Sequence, residues 1–315
     1  MLRYTVQRLI AMAITLFIII TISFFLLRLM PGSFVDDPTL SKEIVEQLEN
    51  KYHLNDPLVL QYGYFLKDAM KLDFGVSLKV QPKRTIGEIL AQKIPISMQL
   101  NIFSMIFMIP MGIILGIIAA IRKNKLSDHG ISVLVILFIS VPSFVFASAL
   151  QYWLGFKLDW FPIVLSKDQV LNWNRMRSMI LPILALSFGG IATITRYVRA
   201  ELCEALNSEY MLLSKSKGLT QFQSTVRHAM RNSFVPLANI IIPIFTSILF
   251  GSLVIEKIFA IPGMGGVLID SINAKDHTLT IGLLCFYSLI SLLTILIVDL
   301  SYGIIDPRIR IGGRK

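Results

Sequence analysis

Long apolar stretches alternate with shorter polar ones along this chain, and the apolar stretches are too long for an ordinary soluble core. Crossing the hydrocarbon of a bilayer takes about 20 helical residues. Runs of that kind occupy residues 9–30, 97–121, 130–154, 179–197, 234–255 and 280–304. None of them alternates apolar with polar residues, which argues against a β-barrel. In lipid the backbone must satisfy its own hydrogen bonds, so each run predicts a helix. The expected fold is all-α and integral to the membrane, with six transmembrane helices in a single domain, 1–315. Pro110, Pro142, Pro182 and Pro243 fall inside these runs and predict kinks, which neighbouring helices can satisfy in a membrane.

Residues 31–95, between the first two runs, are polar but patterned. Ser41–Tyr52 sets Ile44, Val45 and Leu48 on one helical face. Asp56-Pro57 predicts an N-cap followed by proline at the first helical position, with Leu58, Tyr62, Phe65 and Leu72 at helical spacing beyond it. Thr85-Ile86-Gly87-Glu88 has the form of a capping box and opens a short amphipathic stretch to Ile94. The segment predicts a small helical cap on the membrane. It serves either to pack the outer helix ends or to dock a partner that delivers substrate.

Composition agrees with the membrane reading. The chain is 54% hydrophobic and 16% charged, with a mean hydropathy of +0.68. Its net charge is +10, and placement matters more than size. With the N-terminus inside, the cytoplasmic segments hold fifteen lysines and arginines against five acids, so that side carries the entire excess. This is the positive-inside bias, and it predicts both termini in the cytoplasm. The same bias accounts for the basic character without nucleic acid. Arg3 and Arg8 before the first run resemble a signal peptide, but the run ends in Arg28-Leu29-Met30-Pro31-Gly32 rather than at a small-residue cleavage site. An uncleaved first span is expected. Cys203 and Cys285 fall in an inner loop and a span, so no disulfide is expected.

Candidate chemistry is sparse. His53 and His277 are expected outside, His129 and His228 inside, which makes no metal cluster. No zinc-protease, serine-hydrolase or phosphate-loop signature is present. Asp299 is the one acid within a span, near its inner end, where a helix–helix hydrogen bond is the simpler use. The shortage of buried charge argues against a proton- or sodium-coupled carrier.

The most informative stretch is the inner loop, 198–233. Glu204–Lys217 predicts a short helix with Leu206, Tyr210, Leu213 and Lys217 near one face, and Met211 and Ser214 beside it. Gly218 follows where a left-handed C-cap needs glycine. Thr220-Gln221-Phe222-Gln223 then forms a second capping box and starts a helix through Arg227, His228 and Arg231. A helix–glycine–helix bend is a rigid lever, suited to inserting into a cytoplasmic partner.

This loop resembles the coupling loop of permease subunits in binding-protein-dependent ABC importers. Ser214-Lys215-Ser216-Lys217-Gly218-Leu219 with His228-Ala229-Met230-Arg231-Asn232 is similar to the oligopeptide, dipeptide and nickel permeases of the B type (OppB/DppB-like). The resemblance covers the chain. Its other marks are Leu26–Gly32, Asp73–Ser77, Val141–Phe144, Trp160–Pro162, Ile258–Gly265 and Asp306–Arg310. One departure is that Leu212 stands where the general importer loop has an acid, six residues before the glycine.

The resemblance implies a type I ABC importer permease in the bacterial cell (inner) membrane, with a helical extracytoplasmic segment and a cytoplasmic coupling loop. It implies a second, C-type permease, two cytoplasmic ATPase subunits that bind ATP and Mg, and an extracytoplasmic substrate-binding (lipo)protein. This chain would hold no cofactor and do no chemistry. Its ATPase-coupling residues would be Leu206, Tyr210, Leu213, Ser214, Lys215, Ser216, Lys217, Gly218, His228, Arg231 and Asn232. The implied cargo is short peptides, with nickel or metal-chelate complexes as the alternative.

Overall fold

The computed structural model describes residues 2–29, 42–51, 53–168, 170–230, 233, 237, 240–244 and 252–305. Those residues are built of helices: α1 (Leu2–Leu29), α2 (Lys42–Lys51), α3 (Leu58–Ala69), α4 (Ile86–Ile121), α5 (Leu126–Ser140), α6 (Ser143–Leu150), α7 (Trp173–Leu206), α8 (Glu209–Ser216), α9 (Gln221–Ser224), α10 (Leu253–Ile258), α11 (Met264–Asn273) and α12 (His277–Ile305). Two π-helical segments, Gln151–Lys157 and Thr225–Ala229, continue α6 and α9. Residues 5–29, 86–121, 173–206 and 277–300 are each long and apolar enough to cross a membrane. Leu126–Ser140 and Ser143–Lys157 make one more crossing if taken together as a broken span, bent by 102°. The predicted run 234–255 lies largely outside the described residues.

Local signals explain most boundaries. Thr85 and Glu88 form the expected capping box, each backbone N–H donating to the other's side chain at 3.2 Å. The helix they open continues without interruption to Ile121 and passes through Pro110, so the amphipathic stretch and the second run are one element. Likewise α7 runs through Pro182. Pro142 does break its run, because it stands at the cap position before α6 and offers no N–H to the turn before it. Asp56 does not cap α3. Pro57 occupies the cap position, and the Asp56 carboxylate instead meets His53 Nδ1 at 3.1 Å. Leu72 lies beyond the end of α3, at a positive φ of 59°, and is exposed.

The chain forms two compact units. The first is Met1–Ile96 with Pro262–Leu296. One of its cores gathers Ile86, Ile89, Met264, Val267, Leu279 and Leu283. Another joins Phe24, Leu27, Ile281 and Cys285, with Tyr62 and Phe65 packed against them. Asp276 ties the turn at 77–81 to the start of α12. One of its oxygens accepts from Ser77 Oγ (2.7 Å) and from the N–H groups of Leu78, Lys79 and Val80 (2.9–3.1 Å). The other accepts from Leu279 N at 3.2 Å, so the same carboxylate caps the helix.

The second unit is Ser97–Ile261 with Ile297–Lys315. Its seam is the contact of α4 with α7. Gly112 and Gly116 lie one turn apart, so close to Ile194 and Val198 that an added Cβ would stand 2.7 and 2.6 Å from theirs. Small residues at this spacing let membrane helices approach closely. At the α5–α6 break, Phe138 stacks on Phe188 (4.3 Å between centroids) and Phe146 meets both edge-on. A hollow of about 380 Å³ opens there, lined by these rings, Pro142, Gly189 and Thr193.

Candidate functional site

The loop after α7 is built from three short pieces rather than the single helix expected over Glu204–Lys217. Helix α7 ends at Leu206, because Asn207 and Ser208 turn their side chains onto the last turn. Asn207 Nδ2 donates to Cys203 O (2.8 Å) and Ser208 Oγ to Ala205 O (2.5 Å). Such bonds compete with the backbone ladder and stop helices. Leu206 is therefore half-buried at the end of α7 and does not share a helix face with Tyr210, Leu213 and Lys217.

Helix α8 lies on a small apolar seat. Met211 is 1% exposed and packs with Ala120, Leu202, Ala205 and Ala229. Ser214 is buried as well, and its hydroxyl meets Ser224 Oγ at 2.7 Å, joining α8 to α9. Ser214 thus faces the other arm of the bend. Tyr210, Leu213, Ser216 and Lys217 are exposed, and so is Leu212, in the place of the missing acid. Leu212 and Leu213 are 67% and 57% exposed, two large apolar side chains held outward on one turn. The backbone of Lys215 lies in α8, while its side chain is outside the described set.

Gly218 has φ 83°, the left-handed value the C-cap requires. Leu219 N reaches back to Ser214 O (3.4 Å), closing the wide ring of a Schellman end. An added Cβ at Gly218 would meet nothing within 4 Å, so backbone geometry alone calls for glycine there. Thr220 and Gln223 form the second capping box, at 3.1 and 3.3 Å. His228 is exposed on the π-helical segment that follows, and Arg231 and Asn232 lie outside the described residues.

One anchor of this site was not legible in the sequence. Asp128, 1% exposed, accepts a two-pronged bond from Arg199 (2.6 and 2.8 Å) and a third from Asn124 N (2.8 Å). It fixes the turn before α5 to α7, two turns ahead of Leu206. The sequence marks both residues only as part of the charge balance, since 71 positions separate them. The assembled site is a bend anchored at its base, with apolar groups exposed at its tip.

Residues 112–311 match the family described as binding-protein-dependent transport system inner membrane component, and residues 1–101 match the N-terminal family of such membrane components. The dipeptide transport system permease protein DppB of Bacillus subtilis is 38% identical over 312 residues, 99% of each chain. The oligopeptide transport system permease protein OppB of Escherichia coli K12 is 35% identical over 311 residues, 98% of this chain and 100% of that one. Among solved structures, an inward-facing MetNI methionine ABC transporter is similar with a TM-score of 0.50 at 15% identity, covering 72% of this chain and 97% of that one. That likeness is one of fold.

Proposed function

Because this chain belongs to the family of binding-protein-dependent transport system inner membrane components, a set of membrane-embedded, multi-pass transport permeases, we propose that it forms half of the path of an ATP-driven importer for short peptides. A second permease supplies the other half. Two cytoplasmic ATPases drive it, and an extracytoplasmic binding protein loads it. Full-length similarity to dipeptide and oligopeptide permeases favours peptides over nickel or metal chelates. Both termini and the α8–α9 bend are placed inside, and residues 31–95 outside, by the charge bias.

The observation that carries the coupling role is the pairing of a buried seat with exposed tips. Met211 and Ser214 hold α8 down while Tyr210, Leu212 and Leu213 stay uncovered in this chain. An ATPase groove that buries those tips feels any rotation of α8. ATP then shifts the permease between outward- and inward-facing states only as far as it binds one of them better. We place this chain's wall of the path at the α5–α6 break, since interrupted backbone at membrane depth is tolerated only inside protein or beside a cavity, and the aromatic hollow lies there.

The test is uptake. Proteoliposomes holding both permeases, both ATPases and the binding protein should accumulate labelled dipeptide on ATP addition and leave nickel chelates outside. Accumulation of the chelate and not the peptide would overturn the cargo. For the topology, a cysteine introduced at Asp68 should react with an impermeant reagent added outside, and one at Lys215 should not.

A further inference from the structure

The first unit contains a second hollow, of about 350 Å³, which the coupling role does not use. Its walls include Phe24, Phe65, Phe74 and Ile281, and its polar lining includes Gln61 and Thr278. Volume and character are those of a small-molecule site: mostly apolar, with a few fixed polar groups.

Two of these polar groups are buried without a hydrogen-bond partner. Gln61 is 6% exposed. Its Nε2 donates to Leu54 O (3.0 Å) and Asp56 O (2.7 Å), which fixes the amide's orientation. Its Oε1 is then buried without a hydrogen-bond partner. Thr278 is 8% exposed, and its Oγ1 is likewise buried without one. Such groups are costly to leave unsatisfied, and two of them lining one cavity mark it as prepared for a ligand. The ligand must offer an N–H donor to the Gln61 carbonyl and a group of either sense to Thr278. Arg28, Asp68 and Asp73 also line the hollow, so it presents both signs of charge around an apolar interior.

We infer that this cavity binds a short zwitterionic peptide with an apolar side chain. The side chain lies among the phenylalanines, the ammonium or amide N–H meets Gln61 Oε1 and the acidic side, and the carboxylate faces Arg28. The inference rests on the peptide reading of the cargo. It adds that the permease itself holds peptide on the unit carrying residues 42–96, apart from the binding protein.

The experiment uses the assembled permease–ATPase complex in nanodiscs, without binding protein, and equilibrium dialysis with labelled Ala-Leu. One bound dipeptide per copy of this chain is expected, with affinity at least tenfold lower for the N-acetylated, C-amidated form. Thr278→Val keeps the shape and removes the hydroxyl, and should weaken binding several-fold. Ile281→Trp should fill the hollow and abolish binding. Co-purification of the ATPases shows that each variant is folded. Binding that is absent, indifferent to blocked termini, or unchanged in both variants overturns the inference. So does a retained phosphatidylethanolamine in native mass spectra that Ala-Leu fails to displace. Uptake through the complete importer reads the cargo separately, so normal uptake with no cavity binding would sink this site and leave the function standing.

Discussion

Two turns in this protein share a backbone device and differ in almost everything around it. Gly75 and Gly218 both sit at φ 83°, and each is followed by a Thr-capped helix. After Gly75 the turn is sealed from within. Asp276 is 1% exposed and consumes three consecutive N–H groups and the Ser77 hydroxyl, so the polar backbone is satisfied inside the unit. Around Gly218 the inner side is sealed and the outer side is not, since Leu212 and Leu213 stand in solvent. A turn that only needs to hold its shape has its polar groups met at home. One that keeps large apolar groups exposed bears a standing cost that burial would relieve.

The sharpest way to break this comparison is to open the sealed turn. Asp276→Ala leaves two buried and three part-buried donors without this acceptor, and should cost about 3 kcal/mol or more. Limited proteolysis of the purified complex should then cut within residues 71–85 at a markedly higher rate. Cleavage at the native rate would show that the carboxylate is incidental. Next in size is the seat of the other turn. Met211→Ala removes a fully buried side chain and should cost about 2–3 kcal/mol. Because α8 is small, the loss should appear as weaker ATPase retention by the detergent-solubilised complex rather than as failed insertion. Unchanged retention would mean that α8 is not held by this core.

Gly218→Val separates geometry from packing. The site has room for the side chain, so the expected strain of about 1–2 kcal/mol comes from the left-handed φ alone. Expression and binding-protein docking should persist. Uptake should fall relative to ATP hydrolysis as the lever angle changes. Normal uptake per ATP would move the hinge elsewhere. Lys215→Ala should do less, as it leaves the backbone of the bend unchanged.

What could be read beforehand follows the range of the interactions. Both capping boxes, the left-handed Gly218 and the helix α2 are signals within a few residues, and each stands as expected. The break at Asn207–Ser208 was also local. The apolar spacing from Leu206 to Lys217 runs through it and hides it, although two short polar residues side by side can stop a helix. The same periodicity extends to Leu72, beyond the true end of α3. Asp276 with the 77–80 turn and Asp128 with Arg199 could not be read, because nothing near either carboxylate announces a partner 71 or nearly 200 positions away. The two unsatisfied groups of the hollow are invisible for the same reason, since satisfaction is a property of the folded neighbourhood.

The smallest effect discriminates most finely between the two turns. Thr85 and Thr220 make the same reciprocal bonds at 3.1–3.3 Å, so an alanine at either removes the same chemistry, about 1 kcal/mol. The consequences should nevertheless diverge. Behind Thr85 lies a helix of 36 residues whose first turns are packed through Ile86 and Ile89, and the neighbouring turn is held by Asp276. Losing the cap there frays an end that is fixed by other means. Behind Thr220 lies a helix of four residues running into a π-helical segment, linked to α8 by the Ser214–Ser224 contact and by Met211 against Ala229. The same 1 kcal/mol is there a large share of what orients the arm. Hydrogen exchange should therefore rise at residues 221–229 in Thr220→Ala, with uptake per ATP reduced about two- to fivefold. In Thr85→Ala, exchange at 86–92 should rise only slightly and uptake should be unchanged. Equal exchange at both caps would mean that the α8–α9 bend is as rigid as the sealed turn, and that its exposed leucines are not tips of a lever.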